Sequence, residues 1–107
     1  MFTSPHISSF RERIQINGQN CSMEKVVEAC ERIFKAVEEN DMDVRFFEIV
    51  TMVGLLIFKE SGCDYVVLEC GLGGSLDATN IVQEDDIQCC AITSIGMDHM
   101  DVLGSDL

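Results

Sequence analysis

Basic residues are scarce in this sequence: seven Lys and Arg stand against 19 Asp and Glu, leaving a formal net charge of -12 over 107 residues. A surface of that sign repels phosphate backbones and anionic lipid, so nucleic-acid and membrane-surface binding are excluded as expected roles. Proline occurs once, and 47% of the residues are hydrophobic, whereas disordered segments are poor in apolar residues. A folded chain of one domain at most is expected, with modest stability at this length. The longest apolar run, 49–58, falls short of the about 20 residues that cross a bilayer. No charged n-region precedes an apolar h-region, so no secretory signal is expected. Repeats and low-complexity segments are absent. The six cysteines (21, 30, 63, 70, 89 and 90) include no C-x-x-C pair and no zinc-site spacing. We read them as buried, reduced thiols of an intracellular protein.

Two nucleotide-binding signatures are also missing. G-x-G-x-x-G would need glycine where Leu76 stands, and G-x-x-x-x-G-K-[ST] does not occur, because none of Lys25, Lys35 and Lys59 follows a glycine. The chain therefore carries no Walker lysine to meet an ATP phosphate.

What the sequence does contain reads as an alternation of helices and strands. Pro5 disfavours helix at Ser4, so Thr3-Ser4-Pro5-His6 is expected to be extended or a turn that presents Ser4 and His6. Arg13-Ile14-Gln15-Ile16 alternates like a half-buried strand, and Asn17-Gly18 is a hairpin signal, predicting a small β-ribbon near residues 13–20. Ser22 is a good N-cap for a helix with Met23, Val26, Val27, Cys30, Ile33, Phe34 and Val37 on one face. Its outer face pairs Glu28 with Arg32 and Glu31 with Lys35 at i, i+4. A polar break at 40–43 follows, with Asp43 a candidate cap. Residues 46–61 form a second, almost wholly apolar helix closed by Gly62. Glu48 in its first turn is either a partner for the helix dipole or a group pointing into a cleft.

Tyr65-Val66-Val67-Leu68 reads as a strand buried on both faces, ending on Glu69 and followed by Gly71, Gly73 and Gly74. A carboxylate there lies where open α/β sheets bind ligands and where a nucleotide-using fold holds Mg²⁺. Residues 88–94 (QCCAITS) predict a further strand, which brings His99, flanked by Asp98 and Asp101, to the same sheet edge as Glu69. The fold class expected is α/β: three layers, a mostly parallel sheet with flanking helices, and the small ribbon.

Four ordered stretches, TSPHISSFRERIQING (3–18), FFEIVT (46–51), LECGLGGSLDATN (68–80) and ITSIGMDHMDVLG (92–104), closely resemble the dihydrofolate synthase and folylpolyglutamate synthase family of the Mur ligase superfamily. The resemblance covers essentially the whole chain. It implies an ATP-dependent amide ligase that joins glutamate to dihydropteroate or a folate through an acyl phosphate. By motif it implies Ser4, Glu69 and His99 as Mg²⁺ ligands, and Arg45, Phe46, Phe47, Glu48, Leu76, Asp77 and Ala78 as pterin-substrate contacts. Phe47 would stack on the flat ring and Asp77 accept its amino hydrogens. Hydroxyl and carboxylate oxygens suit a hard cation; for His99 the resemblance alone carries the assignment.

The resemblance further implies that residues 1–107 are part of a central ATPase domain with no complete second domain. The ATP-binding glycine loop, a carbamylated lysine and the glutamate-binding domain are then expected outside this stretch. Cys70 stands where valine is usual, and Ser75 where arginine is common. Partners expected are ATP, glutamate and dihydropteroate or folate, with Mg²⁺ as cofactor and a monomeric, cytoplasmic full-length protein, mitochondrial if it has a transit peptide. The alternative expectation is a truncated, non-catalytic remnant acting as an interaction module through an exposed strand edge.

Overall fold

Asn17 and Gly18 both adopt positive φ (51° and 76°), the backbone a two-residue type I′ hairpin needs, and they join β1 (Gln15–Ile16) to β2 (Gln19–Asn20). Gln15 pairs with Asn20 and Ile16 with Gln19 in this antiparallel ribbon, as the sequence predicts. The computed structural model describes residues 1–105.

The N-terminal segment docks on both sides of Phe2. Its backbone bridges Ile14 in antiparallel sense and Leu68 in parallel sense, with Phe2 N donating to Val67 O (2.8 Å) and Glu69 N to Phe2 O (2.9 Å). A 3-10 turn, Phe10–Arg13, connects this segment to the ribbon. Its loop is held by Glu12, whose carboxylate accepts the backbone N–H groups of Ile7, Ser8 and Ser9 at 2.7–3.0 Å.

Ser22 caps α1 (Met23–Glu39), its hydroxyl accepting from Lys25 N at 3.3 Å. Val26 and Ala29 are the buried positions, while Met23, Val27 and Phe34 of the expected apolar face remain exposed. The expected i, i+4 pairs on the outer face are replaced. Arg32 reaches across to Glu60 at the end of α2, and Lys35 pairs with Glu39. Packing of the two helices supplies Arg32 with an acceptor that no single-helix pattern reveals.

Helix α2 (Phe46–Glu60) begins on Arg45 rather than Asp43, because Glu48 reaches back and its carboxylate accepts Arg45 N at 2.6 Å. Gly62, at φ 63°, ends it as expected. Val50, Thr51, Val53, Gly54, Ile57 and Phe58 are buried and form the core with Phe2, Ile14, Cys21, Val26 and Ala29. A Cβ built on Gly54 would lie 2.9 Å from the Phe2 ring, so the absent side chain is what lets the N-terminal segment lie on α2.

The expected parallel sheet is represented by the single Phe2–Leu68 bridge; residues 65–67 run beside Phe2 without forming a regular strand. Residues 88–94 make no backbone hydrogen bond to another segment among the described residues, so the expected strand there is not formed. Parallel pairing needs a crossover that covers the sheet, usually a helix. The intervening residues 71–87 instead form turns and one 3-10 turn, Glu84–Asp86. After a last short helix, α3 (Met100–Leu103), no described residue beyond Phe58 proves to be buried. All six cysteines are free, but only Cys21 is buried; Cys70, Cys89 and Cys90 are exposed because their segments lack a covering layer. No described helix is long and apolar enough to cross a membrane.

Candidate functional site

The docking of the N-terminal segment beside residues 67–69 sets the site. Because Phe2 is bonded to Val67 and Glu69, Ser4 follows two residues later alongside Glu69, and Ser4 N donates to Glu69 Oε2 at 2.6 Å. The two oxygen donors singled out from the sequence are thus neighbours. Ser4 and Pro5 both line a cleft of about 900 Å³.

His99 lies on the same cleft, although the strand expected to carry it there is missing. It is positioned by local backbone instead: φ 47° and ψ 41° at the start of α3, its N–H donating to Asp98 Oδ1 at 2.8 Å, and its carbonyl accepting from Val102 and Leu103. Its ring stands 4.0 Å from Asp98 Oδ2.

The Ser4 hydroxyl and the Glu69 carboxylate, on residues joined by the Ser4 N–H bond, are the kinds of oxygen ligand a hard divalent cation takes. Imidazole is a less usual partner for such an ion, and among the described residues no three His, Cys, Asp or Glu side chains cluster closely enough to cage a metal unaided. The donor set therefore fits an ion that keeps waters and phosphate oxygens in its remaining positions, the usual habit of Mg²⁺.

The start of α2 and the glycine loop supply further lining. Arg45, Phe46, Phe47 and Glu48 come from the helix N-terminus, and Gly71–Ala78 from the loop, so all seven expected substrate contacts line one cleft. Phe47 packs onto Gly71: a Cβ there would stand 2.5 Å from the Phe47 ring and 2.9 Å from Asp77 Oδ2. Phe47 also meets Phe2, with ring centroids 6.0 Å apart, which fixes its edge against the core. Glu48 meets both of its expected descriptions, since it lines the cleft while its Oε2 caps α2.

Asp77 is the organiser of the loop. Oδ2 accepts Gly71 N (3.0 Å) and Leu72 N (2.8 Å), and Oδ1 accepts Thr79 N (2.9 Å) and Thr79 Oγ1 (2.5 Å). Burial pushes its pKa up, but the hydrogen bonds from Thr79, Leu72 and Gly71 outweigh that and hold the carboxyl below its ordinary value. A carboxylate offers about four lone-pair sites, and here all four are engaged. Leu76 projects fully into solvent at the tip of this loop. Cys70, next to Glu69, is exposed, and its thiol pKa is pushed up by partial desolvation and by the nearby Asp77 charge.

Sequence reading missed two residues. Arg13, expected only as part of a half-buried strand, is buried on the cleft wall; Glu12, not singled out, organises the loop that follows Ser4. The signal for both was the RER triplet, which ends a 3-10 turn at residues 10–13 in which Arg13 alone is buried.

The chain superposes on E. coli FolC in complex with ADP, without folate substrate, with a TM-score of 0.89 and 39% identity, covering 98% of this chain and 24% of that one. No family model matches the chain. Among curated proteins it is 40% identical over its full length to folylpolyglutamate synthase of Arabidopsis thaliana, covering 17% of that protein. It is 38% identical over 99% of its length to dihydrofolate synthase/folylpolyglutamate synthase of Buchnera aphidicola, covering 25% of it. The Escherichia coli protein of the same name is 39% identical over 99% of this chain. By sequence and fold, this chain belongs to the dihydrofolate synthase/folylpolyglutamate synthase family. It spans about a quarter of the length of such members, or less.

Proposed function

We propose that this chain carries the metal and pterin side of an ATP-dependent carboxylate–amine ligase site, acting on dihydropteroate, a folate, or both. The observation that supports this most directly is that one cleft is lined by Ser4, His99, Phe46, Phe47 and the Gly71–Ala78 loop, with Glu69 accepting a hydrogen bond from Ser4 N. In the reaction the substrate carboxylate attacks the γ-phosphorus of ATP and ADP leaves. The amine of glutamate then attacks the acyl carbon, and phosphate leaves as the amide forms. Mg²⁺ held by Ser4, Glu69 and His99 would offset the phosphate charge. The chain's own residues have the simpler tasks of holding the pterin flat against Phe47 and excluding water with the loop.

Asp77 serves here by shaping that loop, so that its backbone and Ala78 face the ring. The earlier expectation that its carboxylate takes the ring's amino hydrogens gives way, because its acceptor sites are already filled. The six free thiols favour a reducing compartment, cytoplasmic or mitochondrial. The full-length protein is proposed to be a monomer containing this stretch within its ATPase domain.

Titration of the ¹⁵N-labelled chain with dihydropteroate tests the reading. Amide shifts should move at Phe47, Gly71, Leu72 and Asp77. Shifts confined to α1, or none, would remove the pterin assignment.

A second reading, as an interaction module, is favoured by one observation: Ile92 and Ile95 are exposed on a segment whose backbone makes no hydrogen bond to another segment among the described residues. A discrete oligomer by size exclusion, with amides 1–9 protected from exchange, would support it over the ligase reading.

A further inference from the structure

Arg13 is 93% buried, with 7% of its surface exposed, yet it stands on the wall of the cleft. Its Nε donates to His6 Nδ1 at 2.8 Å, which leaves the two Nη groups as a free fork. The guanidinium lies 5.8 Å from the centroid of the Phe46 ring. Its carbonyl accepts Thr3 N at 3.0 Å, which ties its backbone to the segment that carries Ser4.

In a chain with 19 acidic residues, no carboxylate among the described residues forms an ion pair with this guanidinium. Among the described residues neither Nη has a hydrogen-bond partner, and neither is sealed from solvent. A cation this deeply placed is normally paired. The other charged groups facing the cleft do not supply the partner: Asp77 and Glu48 are committed to backbone N–H groups, Asp43 makes no ion pair, and Arg45 adds a second positive charge.

We propose that Arg13 is the anion-binding residue of the cleft, its Nη fork taking the carboxylate of an aromatic acid whose rings extend toward Phe47. A guanidinium presents two parallel N–H donors that match a carboxylate, so it would aim as well as hold the group that is to be activated. His6 and Phe46 orient the fork from either side. This rests on the ligase reading for the identity of the acid, but the carboxylate recognition is separable from it.

The test compares four ligands by calorimetry or NMR titration on the full chain: dihydropteroate, its neutral primary amide, p-aminobenzoate, and a pterin lacking the carboxylate. Wild type should bind dihydropteroate about tenfold more tightly than the amide, the size of one charge-assisted hydrogen bond. Arg13→Gln should abolish that preference while leaving the amide and the bare pterin within about twofold. Arg13→Lys, which keeps charge but loses the fork, should retain part of the preference, and it serves as the folded variant if the glutamine form melts early. Equal weakening of acid and amide, or no preference in the wild type, overturns the proposal. Arg13-dependent binding of p-aminobenzoate without any pterin binding would uphold it while removing the pterin reading.

Discussion

Asp77 and Glu12 each hold a loop with one carboxylate, and each has its pKa lowered. For Asp77 burial opposes the shift and the Thr79, Leu72 and Gly71 hydrogen bonds overcome it; for Glu12 the backbone N–H groups of Ile7 and Ser9 dominate. A carboxyl whose folded pKa lies below its unfolded value adds stability that is present above the unfolded value, about 4, and is lost as pH falls through the folded one. The glycine loop and residues 7–9 should therefore open below about pH 4 while remaining closed at neutral pH. Amide chemical shifts of Gly71, Leu72 and Ser9 followed against pH would record this. Asp77→Ala should speed exchange of the Gly71, Leu72 and Thr79 amides at pH 7 with little effect on those of α2. Uniform acceleration would instead show that the loop is coupled to the core. Of the site residues, Ser4, Glu69 and the cluster at 45–48 were legible from type and motif. The filled lone pairs of Asp77 and the inward turn of Arg13 depend on dihedral angles that residue types alone do not specify.

At the scale of elements, the helices and the ribbon follow closely from local rules: Ser22 as a cap, Asn17-Gly18 as a turn, Gly62 as a terminator. Ser22→Ala should cost about 1 kcal/mol, measured as a denaturation midpoint shift. Gly54 offers a sharper test, because two effects oppose each other there. Alanine gains about 1 kcal/mol of helix propensity, yet its Cβ would come within 2.9 Å of the buried Phe2 ring, and overpacking typically costs about 1–3 kcal/mol. Gly54→Ala is expected to destabilise on balance and to loosen the Phe2 bridges to Ile14 and Leu68, weakening the Ser4–Glu69 contact. The strand expected at 88–94 was misread for a physical reason: apolar β-branched residues signal a place in a sheet, and a sheet needs a paired neighbour that local pattern does not supply.

For the whole molecule, burial is confined to one half. Every buried residue lies between Phe2 and Phe58, and the Cα radius of gyration, 14.8 Å, exceeds the roughly 13 Å of a compact domain this long. Hydrogen exchange should accordingly find its slowest amides in α2 and its fastest in 81–98. Apolar side chains such as Tyr65, Val67 and Ile92 should bind a hydrophobic dye strongly. The 107 residues also contain no G-x-x-x-x-G-K-[ST] cradle, so the chain by itself should release no ADP from ATP above a Glu69→Ala control.

The proposed site sets a divalent cation at Ser4 and Glu69 close to a pterin at Phe47. Paramagnetic relaxation measures that arrangement directly, with Mn²⁺ in place of Mg²⁺ and dihydropteroate as the observed ligand. Mn²⁺ should broaden the bound ligand's proton signals in the wild-type chain, and Glu69→Ala should remove the broadening while the ligand still binds. Binding of both with no relaxation between them would contradict it.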